Sequence, residues 1–151
     1  MTQTVRRMSL LAASIVAALA ATLLLAASPA QAHTRGETIQ YGCGWTSGYT
    51  IHAARAITTS GGTIYGYNYL VQRGSYWCSA TRKVYFHNTP TWTTATLRVA
   101  GTNYTDAGDF REWAAVVRYA PSGCKQAWGY MYSTSGTSGT RAFSGITSCF
   151  Y

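Results

Sequence analysis

Acidic residues are scarce in this 151-residue chain, which has four Asp and Glu against twelve Lys and Arg. Glycoside hydrolysis needs a pair of carboxylates flanking the scissile bond at a set separation. The only clustered acids, Asp106, Asp109 and Glu112, lie among small residues typical of a turn, where Asp ordinarily caps its own backbone. No ligand loop of EF-hand form is present. The chain is therefore poorly equipped for acid–base catalysis or calcium binding.

Other chemical motifs are missing as well. No serine lies in a G-x-S-x-G elbow, and the three histidines, His33, His52 and His87, are far apart in sequence, which favours surface histidines over a hydrolytic triad. The cysteines lie 25 to 46 residues apart, whereas zinc sites use short spacings such as C-x-x-C. The sequence therefore predicts no catalytic residue, no metal ligand and no cofactor.

Residues 1–32 have the three parts of a secretory signal peptide. Arg6 and Arg7 form a basic start, residues 10–27 form an apolar stretch, and Ala30-Gln31-Ala32 gives the A-x-A end. We predict cleavage after Ala32. The apolar stretch approaches the length of a membrane span, so an uncleaved anchor is the alternative. The residues around the arginine pair match a twin-arginine signal only in part, which favours the general secretory route.

The remaining residues, 33–151, suffice for one domain. Without Arg6 and Arg7 the chain keeps ten basic residues against four acidic ones, a net charge of +6. The basic residues are scattered, which indicates a solvated cationic surface able to associate with anionic envelope polymers. Residues 73–86 interleave basic and aromatic residues, but in an exported protein they are more simply a strand with two faces. We expect neither a nucleic-acid partner nor stable membrane insertion after cleavage.

The pattern along residues 33–151 is that of an all-β protein. Residues 33–40 are polar and are predicted to be a flexible segment before a single β domain over 41–151. Short turn signals separate seven strand-like runs, at residues 50–56, 63–72, 76–86, 92–100, 114–119, 124–132 and 141–149. Only residues 50–58 also suit a helical turn. These runs predict a small antiparallel β-sandwich or barrel.

All four cysteines, Cys43, Cys78, Cys124 and Cys149, follow the signal peptide. In an oxidising compartment they predict two disulfides, and four cysteines allow three pairings that spacing alone does not separate. We favour the nested pairing, Cys43 with Cys149 and Cys78 with Cys124, because the ends of a domain commonly lie close together.

Aromatic side chains are the candidate ligand-binding groups. Tyr65, Tyr67 and Tyr69 alternate with other residues, so their rings should share one face of a strand. Such a row either packs in the core and across strands or forms an exposed ribbon that stacks on sugar rings. Trp92 and Trp113 leave the same two alternatives open. These five residues are the candidates for ligand stacking.

Several short motifs carry a family resemblance. After the signal peptide come Cys43-Gly44, Gly48-Tyr49-Thr50, Gly62-Thr63-Ile64-Tyr65, the run 106–110, Gly123-Cys124, Ala127-Trp128-Gly129 and Cys149. In these the chain resembles the spore-associated protein A-like secreted proteins of spore-forming filamentous bacteria, although Ala115-Val116 stands where Gly-Pro is expected. The resemblance implies secretion and association with spores or aerial growth, and it brings no catalytic residues.

These observations predict a secreted, non-enzymatic β domain at the cell surface or spore that binds an envelope polymer or carbohydrate. The alternative is a small secreted inhibitor or toxin-like effector that presents residues 133–140 as its exposed loop.

Overall fold

The computed structural model describes residues 33–151 as an antiparallel eight-stranded sheet with two disulfides, which confirms the predicted all-β class. The predicted signal peptide and its uncleaved alternative lie outside these residues. The elements are helix α1 (Arg35–Thr38), a π-helical turn (Ile39–Cys43), β1 (Thr50–Thr58), β2 (Ile64–Arg73), β3 (Tyr76–Lys83), β4 (Thr91–Val99), β5 (Thr102–Phe110), β6 (Trp113–Tyr119), β7 (Lys125–Tyr132) and β8 (Arg141–Phe143). Neither helical turn of this part of the chain has the length and apolar character needed to cross a membrane.

The sheet curls into a nearly closed barrel. Its strand order is β5-β4-β7-β8-β1-β2-β3-β6, and the two edge strands, β5 and β6, follow one another in sequence and lie side by side. The Asp106 carboxylate on β5 accepts a hydrogen bond of 3.0 Å from the Ala115 backbone N–H on β6. A side chain thus supplies a bond across the seam, where an unpaired edge would otherwise expose its backbone groups.

The interior has an apolar end and a polar middle. Trp77 packs with Leu70, Leu97 and Val116 at one end. In the middle the amide of Asn68 donates to the Thr81 hydroxyl at 3.0 Å, and that hydroxyl donates to the backbone carbonyl of Thr94 at 2.8 Å. Because β3 and β4 are not neighbours in the sheet, the second bond crosses the barrel and satisfies polar groups that are costly to bury unpaired.

Residues 33–45, here called the N-terminal segment, cover the outer face of β2 and β3. Thr34 and Glu37 form a capping box that starts α1: the Thr34 N–H donates to the Glu37 carboxylate at 2.6 Å and the Thr34 hydroxyl accepts from the Glu37 N–H at 3.2 Å. The bond from the Thr34 N–H to the carboxylate is the main cause that lowers the pKa of Glu37. Ile39 is fully buried against Tyr69 and Val71. Residues 33–40, predicted to be a flexible segment, therefore contain a capped helical turn.

The nested disulfide pairing is wrong. Cys43 bonds to Cys78, with Cα atoms 6.0 Å apart, because the π-helical turn lies against the outer face of β3. Cys124 bonds to Cys149, with Cα atoms 5.2 Å apart, because the C-terminal tail, residues 144–151, runs beside the start of β7. Each terminus is therefore attached to its own strand and not to the other terminus.

Seven of the eight strands overlap predicted runs. β5 has no predicted run, and β8 is shorter than the run predicted for it. β5 occupies the segment that was predicted to be a turn around Asp106 and Asp109. β8 ends at Phe143, although its predicted run extends to residue 149. Residues 50–58 form a strand and not a helical turn.

Candidate functional site

The three alternating tyrosines of β2 do not form an exposed ribbon. Tyr65 and Tyr69 are 7% and 3% exposed, and Tyr67 is half-buried beneath the guanidinium of Arg82. Burial raises the pKa of Tyr69. The exposed-ribbon interpretation does not fit Tyr65 and Tyr69, because the N-terminal segment covers the outer face of β2 around Tyr69 and Tyr65 packs with Ile57.

The two candidate tryptophans lie apart from each other and are both half-buried. The Trp92 backbone N–H donates to the carbonyl of Thr134, while the Trp113 ring stacks on Tyr41 with centroids 5.9 Å apart. Ligand stacking by Trp92 and Trp113 stays a prediction.

A different pair of rings is exposed, at the turn between β2 and β3. Tyr76 and Tyr119 are 51% and 63% exposed, are register partners on β3 and β6, and meet edge to face with centroids 5.3 Å apart. Arg73, also exposed, ends β2 on the other side of a two-residue turn. We call Trp45, Arg73, Tyr76, Val117 and Tyr119 the Tyr76–Tyr119 surface. The sequence signal for this surface is Tyr76, an aromatic residue that follows the turn at residues 74–75 and begins β3.

A shallow pocket lies in this surface, with a volume of about 390 Å³ and a lining of Trp45, Arg73, Tyr76 and Val117. Apolar walls with one charged group are the usual composition of a small-ligand pocket. The pocket offers ring and aliphatic surface to an apolar ligand face and a guanidinium to an anionic group.

Four other arginines are already paired with aromatic rings of the barrel wall. These are Arg82 over Tyr67, Arg98 over Trp128, Arg118 over Tyr104 and Arg141 over Tyr130, at 4.7 to 5.4 Å from the ring centroids. A guanidinium over a ring occupies the face on which a sugar would stack. The rings of these pairs are therefore less available to a ligand than Tyr76 and Tyr119.

A second cluster of functional side chains lies near the opposite end of β3. His33 precedes α1, His87 lies in the β3–β4 loop, and Glu112 lies in the β5–β6 turn. Nε2 of His33 is 3.0 Å from a carboxylate oxygen of Glu112, and one donor atom from each of the three side chains lies within 4.8 Å of the others. Sequence spacing did not indicate this cluster, because the fold brings together residues 25 to 79 positions apart.

Buried Lys83 connects the two loops that carry His87 and Glu112. Its side chain is fully buried, and its ammonium donates to the carbonyls of Thr89 and Phe110. Burial lowers the pKa of Lys83 to about 8, while the charge of Asp109 opposes the shift.

The Lys83 pKa predicts how stability depends on pH. Between about pH 8 and the ordinary value of 10.5, the unfolded chain holds a proton at Lys83 that the folded chain has released. The free energy of unfolding should therefore rise with pH across this window relative to K83M, in which the tyrosines still titrate but this lysine is absent. Urea unfolding of both proteins from pH 7 to 10.5 measures the difference, and parallel pH profiles would contradict the prediction.

The loop proposed for an inhibitor, residues 133–140, is fastened to β5. The Asp109 carboxylate accepts from the Ser135 hydroxyl at 2.6 Å and from the Gly136 N–H at 2.8 Å, and these two bonds lower the pKa of Asp109. The Thr140 carbonyl accepts from the Ser133 N–H at 3.0 Å, which closes the base of the loop. The loop is exposed and held at both its base and its tip, and an inhibitory role stays a prediction.

No family model, curated protein or solved structure matches this chain.

Proposed function

We propose that the protein is exported and binds an anionic, sugar-containing polymer of the cell envelope through the Tyr76–Tyr119 surface, without catalysing a reaction. The observation that carries this proposal is the exposed pair of tyrosine rings beside the Arg73 guanidinium on a shallow pocket.

The chemistry of this surface suits such a polymer. Tyrosine rings present apolar faces on which the C–H face of a sugar packs, and their hydroxyls can hydrogen-bond to water or to the sugar. A guanidinium binds phosphate or carboxylate through paired N–H donors. The net charge of +6 on residues 33–151 raises the local concentration of a polyanion and makes its binding sensitive to salt.

Export and envelope association rest on the signal-peptide pattern and on the disulfides. Two disulfides are consistent with an extracellular location, since such bonds persist in oxidising compartments. The resemblance to spore-associated protein A-like proteins supports the spore or aerial cell surface as the place of binding.

Cosedimentation with isolated cell wall tests the proposal. We expect wild-type protein to sediment with the wall at low salt and to be released at 0.5 M NaCl, a concentration at which the screening length falls to about 4 Å. Y76A/Y119A and R73Q should each weaken binding by about tenfold, or 1.4 kcal/mol. Two matched controls should bind like wild type: R55Q, which removes one exposed charge from β1, and Y151A, which removes the tyrosine that is 86% exposed at the C-terminus.

Equal losses in R73Q and R55Q would show that net charge alone drives binding, and would contradict a site at the Tyr76–Tyr119 surface. Salt-insensitive binding, or no binding, would contradict the polymer proposal itself.

A further inference from the structure

We propose that His33, His87 and Glu112 form a binding site for a divalent transition-metal ion of the zinc and copper class. This site is separate from the Tyr76–Tyr119 surface, and binding at one does not require the other.

The donor atoms are already close together. His33 Nε2 lies 3.0 Å from the Glu112 oxygen, and the His33 and His87 ring centroids are 5.3 Å apart. All three donors lie within 4.8 Å of one another, whereas ligands in a tetrahedral zinc site, with bonds of about 2.0–2.1 Å, are about 3.4 Å apart. Ligation therefore requires the His33–Glu112 pair to separate by about 0.4 Å and the other donor pairs to approach by about 1.4 Å at most, which is within the reach of side-chain rotation.

His87 is the strongest sign of a missing partner. Within residues 33–151 both of its ring nitrogens are buried and neither makes a hydrogen bond. Buried polar atoms are nearly always paired, and an unpaired one calls for an explanation such as a bound ion. A metal ion at the midpoint of the cluster would accept the lone pair of one His87 nitrogen.

The two loops that supply His87 and Glu112 are fastened to each other. The Asn88 N–H donates to the carbonyl of Arg111 at 3.1 Å, and the Arg111 guanidinium donates back to the carbonyl of Asn88 at 3.1 Å. The Lys83 N–H donates to the carbonyl of Glu112 at 2.9 Å. These bonds hold the loops before any ion binds, which reduces the conformational entropy lost on ligation.

His33 is held from both sides. The Arg82 guanidinium donates to its carbonyl at 2.8 Å, and its Nδ1 lies 3.5 Å from a carboxylate oxygen of Glu37. A carboxylate beside the non-ligating nitrogen is the usual partner of a metal-bound histidine, because it fixes the tautomer and makes the other nitrogen a better donor. The Glu37 carboxylate, already placed by the capping box with Thr34, therefore directs Nε2 toward Glu112 and His87.

Two imidazoles and one carboxylate define the class of ion. This donor set suits zinc and copper and leaves a position open for water or another ligand, whereas calcium and magnesium prefer oxygen ligands throughout. Copper should bind more tightly than zinc to the same donors. The Trp113 ring, 5.0 Å from the His33 ring, gives a fluorescence readout, since bound Cu²⁺ should quench it.

Titration of the secreted protein with ZnSO₄ and, separately, CuSO₄ tests the site by calorimetry. We expect one equivalent of each ion to bind at pH 7.5. H87A should weaken binding by at least about 100-fold and E112Q by at least about tenfold, because losing even an outer-shell partner commonly costs 10–100-fold. H52A is the matched control and should bind like wild type, since His52 bonds to Gln72 and stacks on Trp77.

The thermal midpoint of unfolding, measured with and without each ion, distinguishes a lost metal site from a variant that does not fold. Each ion should raise the thermal midpoint of wild type and H52A by the same amount, that of E112Q by less and that of H87A least of all, and EDTA should reverse the rise. Binding that H87A and E112Q leave unchanged, or no stoichiometric binding by folded wild-type protein, would overturn the site. Neither result bears on cosedimentation with cell wall.

The predicted cleavage after Ala32 makes His33 the first residue and gives it a free α-amine, a further nitrogen donor. Because Nδ1 faces Glu37 and Nε2 faces Glu112, the proposed side-chain site does not need this amine. An extra glycine inserted before His33, with the new N-terminus verified by mass, should leave the affinities within about threefold, or 0.7 kcal/mol. A larger loss would assign the amine as a ligand and overturn the three-side-chain site.

Discussion

Replacing Trp77 by alanine is expected to lower the free energy of unfolding by about 3–5 kcal/mol. Trp77 is 1% exposed and fills the apolar end of the barrel with Leu70 and Leu97. Its ring stacks on His52 with centroids 4.8 Å apart and lies 5.1 Å from the ammonium of Lys125, which is itself buried. The alanine variant therefore loses packing and also leaves a buried cation without the ring that faces it.

The neighbouring residue provides the matched control. Tyr76 is adjacent to Trp77 on β3 but lies on the outer face and is half exposed, so Y76A should cost about 1 kcal/mol or less. Urea unfolding followed by far-ultraviolet circular dichroism compares the two. Similar losses for W77A and Y76A would show that the barrel interior is not where Trp77 packs.

Removing the disulfide between Cys43 and Cys78 is expected to have the next largest effect. The bond closes a loop with a sequence separation of 35, for which chain entropy gives about 4 kcal/mol, and the Cys124–Cys149 bond, with a separation of 25, gives about 3.5 kcal/mol. C43A/C78A also releases the π-helical turn from the outer face of β3, which exposes Ile39. We therefore expect C43A/C78A to cost more than C124A/C149A.

The two variants should also differ at the histidine cluster. His33 belongs to the segment that the Cys43–Cys78 bond holds against the barrel, so C43A/C78A should weaken metal binding while C124A/C149A should not. Trypsin cleaves between all four cysteines, so a non-reducing digest identifies the pairing directly. A peptide joining Cys43 to Cys149 would contradict the structure.

The sequence predicted the class of fold because strand periodicity and turn residues are local signals. It missed β5 because Asp106, Gly108 and Asp109 resemble a turn, although in the structure the residues of this edge strand alternate between exposed and half-buried. A strand is indicated in the sequence by the two-residue spacing of Tyr104, Asp106, Gly108 and Phe110, which are the half-buried positions of β5.

The sequence also contains a local signal for the start of α1. Thr34-Arg35-Gly36-Glu37 has the S/T-x-x-E form of a capping box, which is a local signal for the start of a helix. The disulfide pairing had no such signal, since it depends on which strands the two termini cross.

The candidate sites depend on long-range structure. Tyr69 is buried because residues 39–45 lie over it, and Tyr65 is buried because it packs with Ile57 of β1; periodicity gives only the shared face and not what covers it. His33, His87 and Glu112 come from three separate loops, so only the closed barrel brings their donor atoms together. Sequence spacing indicates metal ligands when they lie a few residues apart in one segment, as in C-x-x-C, and these three residues do not.

The most direct test of an exported, disulfide-held barrel is the intact mass of the protein recovered from the culture medium, measured without reduction. We expect a chain of residues 33–151 that begins at His33 and is four hydrogens lighter than its reduced form, because both disulfides are closed. A mass that retains residues 1–32, or one that shows free thiols, would contradict an exported, disulfide-held barrel with His33 at its start.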